Sequence, residues 1–402
     1  MERNGINISA TKPLLFGKLS SRQPTNLQAN SSQKSTKISE CLGYLNPETM
    51  SRTVDRFPLH LCLDTSKETD IAQEDESLYD PRFLLPYLSS LTGTDVYVDR
   101  HMKLVECGGL SLAIASLSSQ DTDIRSIGYH ILHRFYQRMG EAKIVSEKQI
   151  WLHLVHLIKN GLSAATETKV CLKLPSVVTI FLARAVLILT NPSHYMYNSI
   201  SGFLLAKPLL NLFSVPEFLR LFNSKDVNPR PQQLWILSVL RDGLRDRLDH
   251  QMYVQQFVYK ILMSNFGSTV SDRSVQGLIL EILERSSSLQ IAGFHLVSSH
   301  GLPQFLAAIS SQITERSLCI RILSIVRHLA SALAEADIKK EADIKKEGEG
   351  EETVEFKPKT TLKRVLQCSF EIISTNFKGN FPDQETVKNL RLTRTSVIKL
   401  LT

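Results

Sequence analysis

The stretch Asn228-Pro-Arg-Pro-Gln-Gln-Leu-Trp-Ile-Leu-Ser-Val-Leu-Arg-Asp-Gly-Leu-Arg-Asp-Arg-Leu-Asp249 has the pattern of a helix that is buried on most sides. Pro231 suits the first helical turn, because its missing N–H has no intrahelical partner there. Apolar residues then recur every three or four positions, at Leu234, Leu237, Leu240, Leu244 and Leu248. Trp235 and Val239 widen this face. The spacing predicts one helix over residues 231–248, in the middle of a helical stack and without a catalytic residue.

Charged residues follow one edge of this predicted helix. Arg241 and Arg245 share one polar stripe, and Asp242, Asp246 and Asp249 share the next. Contact with a phosphate or an acidic partner is one interpretation of the two arginines. Surface ion pairing is the other, particularly for Arg245, because two of the aspartates are near it in sequence. We therefore regard both arginines as candidate contacts for RNA or a protein partner.

Helix-period segments follow one another through most of the chain. The predicted helices cover residues 81–91, 98–106, 109–118, 123–139, 147–160, 176–190, 196–205, 215–223, 231–248, 251–264, 271–286, 289–299, 302–311 and 315–335. No run alternates convincingly in the way that a β-strand does. The predicted fold class is all-α, an armadillo/HEAT-like α-solenoid or helical stack, with a helical domain over residues 76–336.

Two stretches of the chain resemble each other. Residues 105–120 and 297–312 align without gaps, and each reads as a helix end, a glycine turn and a helix that begins with leucine. Gly109 and Gly301 fit such turns, because a helix C-terminus commonly needs a left-handed residue. The pair indicates a repeat of the armadillo or HEAT kind. The alternative is a non-repeating helical stack that uses one turn twice.

Both ends of the chain differ from this helical region. Residues 1–75 are rich in Ser, Thr, Asn and Gln, and we expect them to be mostly disordered. The hexad Ala-Asp-Ile-Lys-Lys-Glu occurs twice in tandem over residues 336–347. This duplication predicts a charged linker or frayed helix extension over residues 337–358. Two C-terminal helices are predicted within residues 359–402, at about 360–375 and 384–401.

The last predicted helix carries a basic stripe. Residues 356–402 contain nine basic and three acidic residues. Lys388, Arg391 and Arg394 recur at three-residue steps, with no acidic residue among them. Contact with RNA phosphates or an acidic partner is one interpretation, and a solvated helix face is the other. These three residues complete the candidate contact set.

Composition sets limits on location and partners. The chain has 402 residues, 43% of them hydrophobic, and a formal net charge of +7, which permits contact with nucleic acid without requiring it. Its six cysteines are scattered and form no CxxC pair. No apolar leader follows the first residues, and the best apolar run is too short to span a membrane. We expect an intracellular, soluble protein with no membrane partner.

Catalytic and cofactor motifs are not recognisable in the sequence. There is no phosphate-binding glycine loop and no nucleophile elbow. His130 and His133 on one predicted helix, with His153 and His156 on the next, are the residue types that hold zinc. Solvated or locally hydrogen-bonded histidines are the simpler interpretation. We expect no enzyme activity, cofactor, metal or small-molecule substrate.

Five sequence blocks, in a fixed order, resemble a known family. They are Tyr79-Asp-Pro-Arg-Phe-Leu-Leu-Pro86, Ile127-Gly-Tyr-His-Ile-Leu132, Ile180-Phe-Leu-Ala-Arg-Ala185, His194-Tyr-Met-Tyr197 with Phe203-Leu-Leu205, and Leu240-Arg-Asp-Gly-Leu-Arg-Asp246. Together they resemble the C-terminal domain of the nucleolar pre-ribosomal-associated protein 1 family, over residues 45–330. Full members of that family are far longer than this chain.

The resemblance implies a helical, armadillo/HEAT-like scaffold of early large-subunit (pre-60S) precursors in the nucleus and nucleolus. It implies partners among pre-60S particles, pre-rRNA, small nucleolar ribonucleoproteins and assembly factors that include a DEAD-box helicase. Support of rRNA processing is the expected role, and the family offers no catalytic motif to transfer. The alternative is a generic armadillo-like adaptor that binds peptides and is unrelated to ribosomes.

Overall fold

The computed structural model describes residues 42, 45–63, 78–92, 98–141, 148–165, 171–207, 209–226, 228–269, 271–310, 313 and 315–344. Within them the chain forms sixteen α-helices and no β-strand, so the predicted all-α fold class is confirmed. No helix in this part of the chain is long and apolar enough to cross a membrane. Its cysteines Cys62, Cys107, Cys171 and Cys319 are free thiols.

Two compact units share the described residues. The first draws on Met1–Leu174 and Leu182–Leu210, and the second on Pro175–Phe181 and Asn211–Thr402. The sequence predicts one helical domain over residues 76–336. Helix periodicity identifies each element, but it carries no information on how densely successive elements contact one another.

The first unit contains α1 (Pro47–Asp55), α2 (Pro81–Thr92), α3 (Val98–Glu106), α4 (Gly109–Ser116), α5 (Thr122–Glu141), α6 (Lys148–Ala165) and α8 (Tyr197–Ala206). Helix α7 (Ser176–Leu189) contributes residues to both units. The second unit contains α9 (Phe218–Phe222), α10 (Arg230–Gly243), α11 (Arg247–Gln255), α12 (Val258–Phe266), α13 (Arg273–Ser288), α14 (Gln290–Ser298), α15 (Leu302–Ser310) and α16 (Arg316–Ile344).

Part of the polar N-terminal segment is helical. Asn46 caps α1, because its side-chain oxygen accepts from the backbone nitrogens of Glu48 at 2.8 Å and Thr49 at 3.3 Å. Met50 and Val54 are fully buried on the inner face of this helix. The prediction of a mostly disordered segment over residues 1–75 did not include α1, because one short amphipathic turn is hard to see in a polar background. Within residues 1–75, the structure describes residues 42 and 45–63, and the others lie outside the described residues.

Helix α4 lies at the centre of the first unit, and each of its residues is buried. Its serines remain compatible with this position; Ser116 Oγ, for example, donates to the Ala113 carbonyl at 2.7 Å. Gly128 allows α5 to approach α4 closely. A Cβ at this position would collide with Ser116 Oγ and lie 2.9 Å from the Ala113 carbonyl oxygen. A glycine in α5 is therefore required by close helix packing.

The two similar stretches do share a helix–turn–helix form, with one difference in register. Gly301 has a left-handed φ of +64°, as the sequence predicted. In the earlier stretch the left-handed residue is Gly108, with a φ of +79°, and Gly109 instead begins α4. The prediction of the turn at Gly109 was therefore wrong by one residue, because two adjacent glycines are equally able to adopt that conformation.

The predicted helix over residues 231–248 is two helices. Helix α10 ends at Gly243, where a Cβ would lie 2.5 Å from the Val177 Cα, and α11 begins at Arg247. Asp246 caps α11 in a capping box with Asp249, which satisfies N–H groups that a continuous helix would use internally. The close contact with Val177 and the Asp246 cap accompany a break that an uninterrupted apolar pattern does not predict.

A second predicted helix, over residues 251–264, is also divided. Phe257 adopts a left-handed φ of +55° between α11 and α12. Such a conformation is rare for a bulky residue, and nothing in its residue type announces it.

The last helix that the structure describes is α16. Helix α16 has 29 residues and reaches Ile344, so residues 337–344 of the predicted linker are helical. The remainder of that linker and the predicted helices within 359–402 lie outside the described residues.

Candidate functional site

Arg241 lies at the C-terminal end of α10 and forms ion pairs with two carboxylates. Its Nε and Nη2 atoms donate to the two carboxylate oxygens of Asp242, each at 2.9 Å. Its Nη1 atom donates to Glu281 Oε2 of α13 at 3.1 Å. The hydrogen bonds that Arg241 donates to the Asp242 carboxylate, and the negative charge of that carboxylate, raise the pKa of Arg241. This guanidinium is therefore a half-buried structural cation, with its charge balanced within the molecule.

The same ion pairs continue onto α16. Arg321 donates to Glu281 Oε1 at 2.6 Å and to Glu284 Oε2 at 3.2 Å. Arg285 donates to the Arg241 carbonyl at 2.7 Å and lies 3.4 Å from the Asp242 carboxylate. We call these side chains the arginine network: Arg241, Asp242, Glu281, Glu284, Arg285 and Arg321. It joins α10, α13 and α16 with equal numbers of positive and negative groups.

Arg245 does not share a helix face with Arg241, because α10 has already ended. Its Nε atom donates to the Asp242 carbonyl at 2.8 Å, and its backbone nitrogen donates to Asp249 Oδ2 at 3.2 Å. The predicted stripe of two arginines on one continuous helix was therefore wrong in geometry. Arg241 also forms an ion pair with Asp242, one of the two aspartates that the sequence suggested as partners for Arg245. Their contact with RNA or a partner stays a prediction.

Asp249 is a fully buried carboxylate that holds the turn between α10 and α11. It accepts from the backbone nitrogens of Val177 at 3.1 Å, Arg245 at 3.2 Å and Asp246 at 3.1 Å. Burial, with the negative charge of Asp246, raises the pKa of Asp249, while N–H donation from Val177 and Arg245 acts in the opposite direction. Its role is architectural, since every donor that it accepts from belongs to the backbone.

The histidine pairs flagged in the sequence make separate contacts. His156 Nδ1 lies 3.4 Å from the Tyr136 hydroxyl, and His153 Nε2 lies 2.8 Å from the Leu204 carbonyl. Among the described residues, no group of three or more His, Cys, Asp or Glu side chains has an arrangement that would hold a metal ion. The zinc interpretation of the four imidazoles therefore has no geometric support in this part of the chain.

Sequence reasoning missed a second histidine cluster in the second unit. His250 Nδ1 lies 2.8 Å from the Tyr259 hydroxyl, and His250 Nε2 lies 3.2 Å from His295 Nδ1. The His295 and His300 rings meet edge to face at a centroid distance of 4.8 Å. Burial, together with His295 and His300, lowers the pKa of His250 to about 4. No spacing pattern links these residues, because the contacts join different helices.

The third part of the predicted contact set is the terminal basic stripe. Lys388, Arg391 and Arg394 lie outside the described residues, so their contact with RNA or a partner stays a prediction. Arg241 and Arg245 are the members whose surroundings the structure shows.

Comparisons with known proteins agree with the resemblance read from the sequence. The family model described as "Nucleolar pre-ribosomal-associated protein 1" matches residues 110–305, from α4 to α15. The mouse protein of that name is 28% identical over 340 residues, and the human one is 28% identical over 338 residues. Each alignment covers 82% of this chain and 15% of the relative, so the chain spans a small part of its relatives' length.

Among solved structures, a crystal structure of an engineered protein aligns with 93% of this chain and 96% of its own. Its sequence identity is 12% and its TM-score 0.29, which is too low for an inference. Sequence similarity, and not this structural alignment, relates the chain to known proteins. Across 82% of its length, the chain is similar in sequence to the mouse and human proteins named nucleolar pre-ribosomal-associated protein 1.

Proposed function

We propose that this chain is a non-enzymatic helical scaffold in the nucleolar assembly of the large (60S) ribosomal subunit, where it supports pre-rRNA processing. The observation that carries the proposal is the sequence similarity to proteins named nucleolar pre-ribosomal-associated protein 1. The same name supports a location in the nucleus and nucleolus. It also supports association with pre-ribosomal particles as the general role.

The architecture fits a scaffold because its charged side chains hold helices together. In the second unit the arginine network crosslinks α10, α13 and α16, and the Asp249 carboxylate fixes the turn between α10 and α11. Rigid stacked helices offer long surfaces on which RNA or other proteins can bind.

The proposed partners are pre-60S particles, pre-rRNA or small nucleolar ribonucleoproteins, and assembly factors that include a DEAD-box helicase. Within the contact set, Arg241 is balanced by Asp242 and Glu281, and Arg245 donates to a backbone carbonyl. We therefore assign the stronger RNA contact to Lys388, Arg391 and Arg394, among which the sequence places no acidic residue. Arg241 and Arg245 are secondary candidates.

Gradient sedimentation of the tagged full chain tests this proposal. We expect the chain to co-migrate with large-subunit precursors and to move to the free pool after ribonuclease treatment. Co-migration with small-subunit precursors alone would contradict the 60S assignment. A signal confined to the free pool would favour the peptide-binding adaptor instead.

A further inference from the structure

A groove of about 420 Å³ runs between α5 and α6 in the first unit. We call it the α5–α6 groove. Its described lining residues are Tyr136, Gln149, Leu152, His153, His156 and Asn160. The volume lies within the range of about 300–1,000 Å³ that is typical of small-ligand sites. The groove includes one of the histidine pairs that the scaffold proposal leaves without a role.

Two aromatic rings stand at this groove on rigid supports. The Tyr136 and His156 rings have a centroid distance of 6.3 Å and an interplanar angle of 59°. His156 is exposed and Tyr136 half-buried, whereas Phe135 and Trp151 anchor the two helices in the core. An exposed ring on a rigid helix is a platform on which a planar base can stack, since stacking needs a ring face open to solvent.

A positive charge lies next to these rings. Lys159 Nζ is 5.7 Å from the centroid of the Tyr136 ring, and the lysine is exposed. None of the described residues that line the groove is an aspartate or a glutamate, so none of them offers a carboxylate to the Lys159 ammonium. A long flexible ammonium over an aromatic ring is free to turn toward a phosphate, because exposed cation–π contacts are worth only about 0.5–1 kcal/mol.

Polar groups complete the lining. His153 Nε2 lies 2.8 Å from the Leu204 carbonyl of α8, which holds its ring in one orientation. The amides of Gln149 and Asn160 also line the groove, and side-chain amides carry both donors and acceptors. Such groups match the edge of a nucleobase, which likewise presents both donors and acceptors.

We propose that the α5–α6 groove binds an unpaired nucleotide of single-stranded RNA. The base stacks on the exposed His156 ring beside Tyr136, the neighbouring amides contact its edge, and Lys159 binds the adjacent phosphate. An acidic peptide would use Lys159 but would leave the ring faces without a matching group. This inference deepens the proposed function and rests on it, since RNA is the ligand that a ribosome precursor supplies.

The test is fluorescence anisotropy of a labelled oligouridine of about 12 nucleotides with the purified full chain, from low to physiological salt. We expect His156→Ala to weaken binding about 5- to 150-fold, the effect of losing one stacked base. His156→Phe should restore most of the affinity, because it keeps a ring face. Lys159→Gln should lower the slope of log affinity against log salt by about one.

Lys260→Gln is the matched control, because Lys260 Nζ also lies over an aromatic ring, at 5.5 Å from the Phe257 centroid, but in the second unit. It should leave binding unchanged. Failure of the wild-type chain to bind oligouridine at low salt would overturn the groove assignment, as would equal binding by His156→Ala. A labelled acidic peptide that binds in place of oligouridine would assign the groove to a protein partner and also overturn it.

This outcome is separable from that of the gradient experiment. If the chain co-migrates with large-subunit precursors while His156→Ala binds RNA as wild type does, the groove assignment fails and the scaffold proposal stands. If the chain stays in the free pool while the groove binds oligouridine, the ribosomal assignment fails and RNA binding stands.

Discussion

The Val177 backbone nitrogen donates to Asp249 Oδ1 at 3.1 Å, across 72 positions of sequence. The other carboxylate oxygen accepts from the backbone nitrogens of Arg245 and Asp246. One buried side chain thus links the first turn of α7 to the turn that ends α10. Unsatisfied backbone N–H groups in a core are costly, so this carboxylate stabilises the fold by accepting hydrogen bonds from them.

Asp249→Asn should therefore destabilise the chain by about 2–4 kcal/mol, because an amide offers one acceptor oxygen and turns its NH₂ toward N–H donors. Chemical denaturation followed by circular dichroism measures the change. Asp246→Asn is the matched control and should cost well under about 1 kcal/mol, since Asn caps a helix as well as Asp does. Equal losses for the two variants would contradict the role given to Asp249.

Trp235 provides a test of the core around α10. Its side chain is 9% exposed and meets the Phe181 ring edge to face at a centroid distance of 5.3 Å. Trp235→Ala should destabilise the chain by roughly 3–5 kcal/mol, as large-to-small core substitutions do. Leu248→Ala should cost under about 1 kcal/mol, because Leu248 is 37% exposed. A loss below about 1 kcal/mol for Trp235→Ala in chemical denaturation would place the indole at the surface.

Leu248 shows where sequence reasoning stops being sufficient. The apolar spacing placed it on the same buried face as Leu234 and Leu240, and this holds only if the helix is continuous. The helix ends at Gly243, which packs against the Val177 backbone too closely for a Cβ, and Asp246 caps a new helix. The helical spacing of apolar residues identified nearly all helices correctly, since each amphipathic helix must bury its apolar face. It could not identify breaks that depend on a contact distant in sequence.

In the candidate site too, local sequence patterns predict individual residues but not their partners. The sequence singled out Arg241 as a charged residue at a helix edge, and the structure confirms that the edge is polar. Its partner Glu281 is 40 positions away, so no local pattern reveals the ion pair. The histidines His250 and His295 are likewise brought together by helix packing alone. Neighbours of this kind are a property of the fold and not of any sequence window.

His250 predicts a pH dependence of stability. Its folded-state pKa is lowered to about 4 from an ordinary 6.5, by burial and by His295 and His300. The unfolded chain therefore binds more protons between these values, so the free energy of unfolding should fall as pH decreases from about 6.5 to about 4. Below about pH 4 this contribution no longer changes.

Urea denaturation at several pH values, with His250→Gln as comparison, measures this effect. The glutamine keeps hydrogen-bonding groups near Tyr259 but does not titrate, so the variant should lose part of the pH dependence. Part of the remainder is expected from His300, whose pKa is also lowered by burial and by His295, and part from His130, His194 and His328, whose pKa values are lowered by burial. An unchanged pH profile in the variant would show that His250 is not the group that titrates.

The terminal basic stripe carries the most direct prediction about RNA. Residues 356–402 hold nine basic and three acidic residues, and Lys388, Arg391 and Arg394 recur at three-residue steps. On a helix this spacing drifts slowly round the axis, so three cationic groups can follow a phosphate backbone. Charge reversal of all three should weaken RNA binding and leave thermal stability nearly unchanged. The difference should shrink as salt rises, because each neutralised phosphate releases counterions.

Filter binding of the full chain to a structured RNA, from low to physiological salt, checks this expectation. Reversal of Lys339, Lys340 and Lys345 is the matched control, because it changes the net charge equally within residues 337–355, where eight acidic residues outnumber four basic ones and already repel phosphate. The control should bind RNA as wild type does. If the stripe variant also binds like wild type at every salt concentration, the stripe is a solvated face, and association with ribosome precursors has to run through protein partners or the α5–α6 groove.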